Sequence, residues 1–254
     1  MYARMRLEID AGNTLAKWRV INLDGDVVDR GVADRRANIS RTIASNDYKG
    51  QIGTVLIASV SGSDLVQDIA RLLAPGLGLD RIFVARSLPV MAGVTFAYGD
   101  VTRLGVDRCL AMISGYHKYP NGVMVIDCGS AITADIVSCT GMHLGGYILP
   151  GIRLLKASLQ KGTAQVHLDA TASDALRSGS SVEPGTSTIA CVDNGVHLMI
   201  RSTFSSLQAI AYENGVRDIV LTGGDGELAN TMAGSEFAYH RDLIFDGLGL
   251  LNPF

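Results

Sequence analysis

Short apolar segments separated by turns occur in two similar groups along the chain. Within each group, period-two patterning and turn residues predict three strands in an antiparallel meander. Asp10 precedes Gly25 by fifteen residues, and Asp127 precedes Gly141 by fourteen, so the two groups have nearly equal lengths. This similarity indicates a duplicated chain. The predicted strands span 5–9, 15–22 and 26–32 in the first group and 123–127, 131–138 and 142–149 in the second.

After each meander, the pattern changes to helices that alternate with buried strands. Between Thr102 and Lys118, Val106, Leu110 and Ile113 recur at helical spacing and predict a helix that closes the first half. The other predicted helices span 36–46, 64–74, 151–161, 188–213 and 226–233, the last being the final helix. The predicted buried strands span 52–60, 80–85 and 216–224, and a Ser-, Ala- and Gly-rich stretch at 169–187 predicts a mobile loop. The sequence therefore predicts an α/β fold.

Composition excludes several classes of function. The net charge of −3 and the lack of a basic run argue against nucleic-acid binding. No apolar run approaches the 18 residues that a membrane-spanning helix needs. The first strand begins too early to leave room for a signal peptide, so we expect a cytoplasmic protein. The four cysteines lack metal-ligand spacing and are expected to be buried thiols.

A carboxylate followed by a glycine turn ends the first strand of each group. The two stretches read "DAGNT" from Asp10 and "DCGSA" from Asp127. A glycine lets backbone N–H groups approach a phosphate, whereas the adjacent Asp needs a metal ion between itself and that phosphate. Either turn alone is more typical of an ordinary hairpin, in which Asp and Asn side chains bond to their own backbone. Their matched positions in a duplicated unit favour a pair of phosphate-binding turns.

The segment "YGDVTRLGVDR" (98–108) is a second concentration of polar residues. A helix that begins near Thr102 brings Leu104, Asp107 and Arg108 to adjacent faces, and small residues at 111 and 115 leave room there for a ligand. Asp107 is a candidate general base, and Arg108 a candidate ligand for a carboxylate or phosphate. The alternative is an Asp–Arg pair on a solvated surface.

Other candidates are less specific. Lys17 lies in the second strand and points either to a nucleotide or to solvent. In "LTGGDGEL" (221–228), Gly224, Gly226 and Ala229 resemble a dinucleotide fingerprint, but their place near the end of the chain better fits a glycine turn beside adenine or ribose. The chain has no P-loop motif, and its five histidines receive no role.

Together these segments resemble the type III pantothenate kinase family of the acetate kinase–hsp70–actin superfamily. The resemblance covers nearly the whole chain and includes "DAGNTLAKW", "DCGSAIT", "YGDVTRLGVDR", "GGYILPG" (145–151) and "LTGG". It implies duplicated ribonuclease H-like (actin-like ATPase) domains at 1–119 and 120–254, each a mixed sheet flanked by helices. It also implies ATP-dependent phosphorylation of pantothenate to 4'-phosphopantothenate, the first step of coenzyme A biosynthesis.

The resemblance further implies roles for individual residues. Asp107 is the implied catalytic base, and Asp127 the implied ligand of a monovalent cation, K⁺ or NH₄⁺. The implied ATP-binding residues are Asp10, Ala11, Gly12, Asn13, Thr14, Leu15, Ala16, Lys17 and Ser130. The implied pantothenate-binding residues are Tyr98, Gly105, Val106, Asp107, Arg108 and Thr188. ATP with Mg²⁺ is the expected donor, and a homodimer the expected assembly.

Two residues depart from the family pattern. Val101 stands where the family usually has Pro, and Ser130 where it has Thr. Neither change removes a group that phosphoryl transfer needs. Two alternatives stay open: a kinase for another small alcohol or sugar, and a nucleotide-binding regulatory protein with an accessory role in transcription.

Overall fold

The computed structural model describes residues 5–12, 15–33, 51–59, 81–162 and 181–254. The chain divides into two compact units. Unit 1 comprises Met1–Ser114 and Leu243–Phe254, and unit 2 comprises Gly115–Asp242. Compactness alone does not define a folding domain, so the domain ranges 1–119 and 120–254 stay a prediction.

Unit 1 contains a five-stranded mixed sheet in the order β3-β2-β1-β4-β5. The strands are β1 (Met5–Ala11), β2 (Ala16–Ile21), β3 (Val27–Ala33), β4 (Ile52–Ser59) and β5 (Ile82–Val84). The first three pair antiparallel, as the meander pattern predicts, whereas β4 and β5 continue the sheet in parallel. β4 is buried along most of its length, in agreement with its continuous apolar run.

The rest of unit 1 begins with a short hairpin of β6 (Val90–Met91) and β7 (Val94–Thr95). A 3₁₀ turn (Val101–Arg103) and the helix α1 (Val106–Lys118) follow, and residues 115–118 of α1 belong to unit 2. The C-terminal residues Leu243–Phe254 also belong to unit 1.

Unit 2 repeats the arrangement of unit 1, with a sheet in the order β10-β9-β8-β11-β12. Its strands are β8 (Val123–Cys128), β9 (Ala131–Val137), β10 (His143–Pro150), β11 (Asp218–Thr222) and β12 (Ala238–Tyr239). The helices α2 (Ile152–Gly162), α3 (Thr188–Glu213) and α4 (Gly226–Ala233) accompany them. Strand for strand, the order and the directions match those of unit 1, which confirms the duplication and the mixed α/β fold.

One prediction about the helices was wrong. The helix at 226–233 is not the last one, because α5 (Leu243–Leu250) follows it. The predicted helices at 36–46 and 64–74, and residues 169–180 of the predicted loop, lie outside the described residues.

The sheet of unit 1 has one apolar face and one partly ionic face. Leu7 and Ile9 pack with Trp18 in the apolar core. On the other face, Glu8 is fully buried and accepts a hydrogen bond from Arg19 Nε at 2.5 Å. Arg19 also contacts α5, where its Nη1 lies 3.3 Å from an oxygen of Asp246, so a partly buried ionic contact joins the C-terminal helix to β2. Across the described part of the chain, no helix is long and apolar enough to span a membrane.

Candidate functional site

The first Asp-Gly turn connects β1 and β2. Asp10 is paired across the strands with Lys17, and directly opposed residues in an antiparallel pair project from the same face of the sheet. Both side chains are half-buried. Gly12 and Leu15 flank the turn, whereas Asn13 and Thr14 lie outside the described residues. Lys17, for which the sequence left two directions open, therefore shares its face with the candidate carboxylate.

The second Asp-Gly turn connects β8 and β9. It has fewer residues between its two strands than the first turn has. Gly129 N donates to Ala131 O at 3.0 Å, and Ser130 is exposed at the tip. Gly151 N donates to Ser130 O at 3.2 Å, and a Cβ at Gly151 would lie 2.5 Å from that same oxygen. The second Asp-Gly turn packs directly on Gly151, the last residue of the "GGYILPG" segment. A larger residue would not fit at this position.

The glycine turn (residues 223–226) lies against Asp127. Gly223 has a φ of +92°, and a Cβ there would collide with Asp127 Oδ1 and with the carbonyl oxygen of Cys128. Asp225 N donates to that same carbonyl at 2.9 Å. The structure therefore joins two motifs that are nearly a hundred residues apart in the sequence, and sequence patterns alone did not connect them.

Electrostatics at this turn favour oxygen ligands over sulfur. Burial raises the pKa of the Cys128 thiol far above its usual value, and the carboxylates of Asp127 and Asp225 raise it further. Without a bound cation the thiol is therefore protonated. Carboxylate and carbonyl oxygens, the donors that hard cations prefer, dominate the surroundings of Asp127. No cluster of three or more His, Cys, Asp or Glu side chains that would hold a metal ion occurs in the part of the chain that the structure describes.

Tyr98, Asp107 and Arg108 lie together in unit 1. Arg108 is 8% exposed, and its Nη1 donates to Tyr98 Oη at 2.9 Å. The guanidinium also lies over the Tyr98 ring, 5.8 Å from its centroid. Asp107 Oδ1 accepts the backbone N–H of Arg108 at 2.8 Å. Because Arg108 is buried, the alternative of a surface pair on a solvated face does not hold.

The predicted start of the helix was wrong. Helix α1 begins at Val106 rather than near Thr102, because Asp100 caps a separate 3₁₀ turn by accepting hydrogen bonds from Thr102 N at 3.1 Å and from its hydroxyl at 2.6 Å. Leu104 is extended and buried, so it does not share a helical face with Asp107. A Cβ at Gly115 would lie 2.6 Å from a Val125 methyl. This glycine therefore allows close packing against Val125 and does not leave room for a ligand.

Thr188 is the exposed first residue of α3, and Ser187 caps the helix by accepting a hydrogen bond from Ala190 N. One turn further on, Asp193 forms an ion pair of 2.6 Å with Lys156 of α2. Asn194 Nδ2 donates to Glu183 O at 2.7 Å and so fixes the segment that enters the helix. These polar contacts of the "STIACVDNG" segment hold Thr188 at a defined helix end.

The cysteine prediction was half right. Cys109 and Cys128 are buried thiols, as expected, whereas Cys139 and Cys191 are exposed. Cys139 lies in the turn after β9, and Cys191 lies in the first turn of α3, where its thiol donates to Gly185 O at 3.2 Å. Each of the four is a free thiol.

Comparison with known proteins identifies the family of this chain. A family model described as type III pantothenate kinase matches residues 6–207. A type III pantothenate kinase of Azotobacter vinelandii is 35% identical over 252 residues, which cover 98% of this chain and 99% of the relative. This chain belongs to the type III pantothenate kinase family.

Solved structures agree with this family assignment at the level of the fold. A Campylobacter jejuni protein described as a Baf family transcriptional activator has a TM-score of 0.57 at 22% identity and covers 96% of this chain and 95% of its own. MreB 5 of Spiroplasma citri, solved with bound AMPPNP, has a TM-score of 0.51 at 11% identity and covers 98% of this chain and 96% of its own. These likenesses show that the family member described here has an actin-like fold.

Proposed function

We propose that this chain transfers the γ-phosphoryl group of ATP to the primary hydroxyl of pantothenate, giving 4'-phosphopantothenate for coenzyme A biosynthesis. The observation that carries the proposal is the family match, which extends over nearly the whole chain and includes the segments around Asp10, Asp107 and Asp127. In the reaction, a bond forms between the pantothenate oxygen and the γ-phosphorus, and the bond from that phosphorus to the β,γ-bridging oxygen breaks. ADP is the leaving group.

Asp107 is the proposed general base. Its carboxylate accepts the proton of the attacking hydroxyl, while positioning and charge neutralisation account for most of the remaining acceleration. Arg108 is the proposed partner of the pantothenate carboxylate, because a guanidinium forms planar paired hydrogen bonds with such a group. The hydrogen bond between Arg108 and Tyr98 supports this role, because it orients the guanidinium before substrate binds. Gly105, Val106 and Thr188 complete the proposed pantothenate contacts.

The residues of both Asp-Gly turns are proposed to bind ATP. In unit 1 these are the residues from Asp10 to Lys17, and in unit 2 Ser130. Lys17 supports the proposal because it shares a sheet face with Asp10. Mg²⁺, when bound with ATP, supplies neutralisation of the phosphate charge. Asp127 is the proposed ligand of K⁺ or NH₄⁺. Two observations support this role: oxygen atoms surround its carboxylate, and a Cβ at Gly223 would fill the space beside it.

The chain is also proposed to act as a homodimer. Large apolar side chains of unit 2 are exposed along β10 and the helices α2 and α3, where a second chain would cover them. They include Tyr147, Ile148, Leu154, Leu198 and Met199, with exposures from 43% to 65%. Sedimentation equilibrium is expected to give the mass of two chains, and the mass of one chain would contradict the dimer.

We also propose a reducing, cytoplasmic location, which the four free thiols support.

ADP release with a panel of acceptors tests the function. Purified protein with ATP, Mg²⁺ and K⁺ is expected to release ADP with pantothenate and not with a set of sugars and other small alcohols. Omission of K⁺ and NH₄⁺ is expected to reduce the rate. Turnover with a sugar alone would support a different kinase of the superfamily, and no turnover with any acceptor would favour a regulatory protein.

The role of Asp107 has its own test. Asp107→Asn is expected to lower kcat about 10²–10⁴-fold, because general-base catalysis typically contributes that much. Affinity for a non-hydrolysable ATP analogue is expected to stay close to that of the wild type. Asp100→Asn is the matched control, because Asp100 lies in the same segment but caps the 3₁₀ turn. Near-normal turnover of Asp107→Asn would remove this residue from the mechanism.

A further inference from the structure

A residue outside the glycine turn (residues 223–226) holds that turn in place. Tyr239, on the edge strand β12, donates its hydroxyl hydrogen to the carbonyl oxygen of Gly223 at 2.9 Å. Its ring also packs on Gly226, where an added Cβ would lie 2.6 Å from ring atom Cε2. The side chain therefore contacts the turn at both ends, once through its hydroxyl and once through its ring.

The same turn contacts Asp127 on its other side. Gly223 leaves no space for a Cβ between itself and Asp127 Oδ1, and the N–H of Asp225 is hydrogen-bonded to the carbonyl of Cys128. A shift of the Gly223 backbone therefore changes the space beside the Asp127 carboxylate. The contacts form a continuous path from the hydroxyl of Tyr239 through Gly223 to Asp127.

The hydroxyl of Tyr239 has a raised pKa and is protonated at neutral pH. Burial is the largest cause of its raised pKa, and the carboxylates of Glu227, Asp242 and Asp127 raise it further, against a lowering by Arg241. A protonated phenol can donate its hydrogen bond, whereas a phenolate cannot. The bond to Gly223 is thus maintained throughout the neutral pH range.

We propose that Tyr239 is a positioning residue that fixes the glycine turn against Asp127 and so determines the affinity for the nucleotide and for the activating cation. This inference rests on the proposed function, in which Asp127 and the adjacent turns serve ATP. Tyr239 acts through Gly223 and has no role in the chemical step. Its hydroxyl therefore affects binding of ATP and cation more than binding of pantothenate.

Tyr239→Phe tests this role, because it removes the hydroxyl and keeps the ring. Loss of one hydrogen bond to a buried carbonyl is expected to raise the Kd for a non-hydrolysable ATP analogue about 3- to 10-fold. The KM for ATP and the K⁺ concentration for half-maximal rate are expected to rise alongside, with the KM for pantothenate unchanged. Tyr116→Phe is the matched control, because the Tyr116 hydroxyl also donates to a backbone carbonyl, that of Cys139, at 3.2 Å.

The outcomes separate this inference from the proposed function. An unchanged Kd in Tyr239→Phe, or an equal rise in Tyr116→Phe, would overturn the positioning role. A parallel rise in the KM for pantothenate would also overturn it, because it would indicate a general loss of structure. Wild-type protein that binds the ATP analogue without phosphorylating pantothenate would contradict the proposed function alone, because analogue binding tests Tyr239 without any acceptor.

Discussion

Removal of one partner of the ion pair between Lys156 of α2 and Asp193 of α3 is expected to destabilise unit 2. Its Nζ–Oδ1 distance is 2.6 Å, and the two side chains are only 9% and 13% exposed. Asp193→Ala leaves the ammonium group of Lys156 in a buried position without this carboxylate. Removing one partner of a buried pair typically costs about 3–5 kcal/mol. For a chain of this size, such a loss corresponds to a decrease in Tm of roughly 6–20 °C.

Thermal and urea unfolding, followed by far-UV circular dichroism, measure this loss. The matched control is Arg153→Ala on the same helix α2, whose side chain is 76% exposed and lies 3.3 Å from Asp225. Solvent screens that exposed pair, so its loss is expected to cost at most about 1 kcal/mol. The double variant Lys156→Met with Asp193→Leu removes both charges of the pair and is expected to be more stable than either single variant. An Asp193→Ala protein as stable as Arg153→Ala would refute the reasoning.

Three further predictions concern accessibility, packing and recognition. Iodoacetamide is expected to modify the exposed thiols of Cys139 and Cys191 in the native protein, and mass spectrometry that finds the two buried thiols equally modified would contradict the burial. Gly151→Ala, whose Cβ would approach the second Asp-Gly turn, is expected to lower kcat/KM for ATP about ten- to a hundredfold. Gly162→Ala would meet no atom of the described residues within 4 Å, and an equal loss there would exclude this explanation. Arg108→Lys keeps the charge but loses the planar fork, so the KM for pantothenate is expected to rise about tenfold, and an unchanged KM would argue against Arg108 as its carboxylate ligand.

The repeated meander was predictable from sequence because its signals are local. Alternating apolar residues and turn glycines specify each hairpin, and the nearly equal spacing from Asp10 to Gly25 and from Asp127 to Gly141 reveals the copy. The structure confirms this with two sheets of matching strand order. Even the bounds of α3 agree with the predicted range 188–213, since Ser187 provides a clear N-cap.

The errors arose where a local cap or a tertiary contact overrides the apolar pattern. The apolar spacing around Val106 continues the helical period, but Asp100 caps a separate 3₁₀ turn and delays the helix. Helix α5 was missed because "LIFDGLGL" contains two glycines, which disfavour helix, whereas its packing on the sheet of unit 1 stabilises it. The contact between Asp127 and Gly223 joins distant segments, and the role of Tyr239 depends on that contact. No local pattern contains such information.

The central claim is that the chain phosphorylates pantothenate with ATP. Its most direct test is to incubate purified protein with ATP, Mg²⁺, K⁺ and pantothenate and to identify the products by mass spectrometry and ³¹P NMR. We predict one molecule of 4'-phosphopantothenate for each ADP, with the phosphorus resonance of a primary phosphomonoester. ADP formed without phosphopantothenate, or no consumption of ATP at all, would contradict the account.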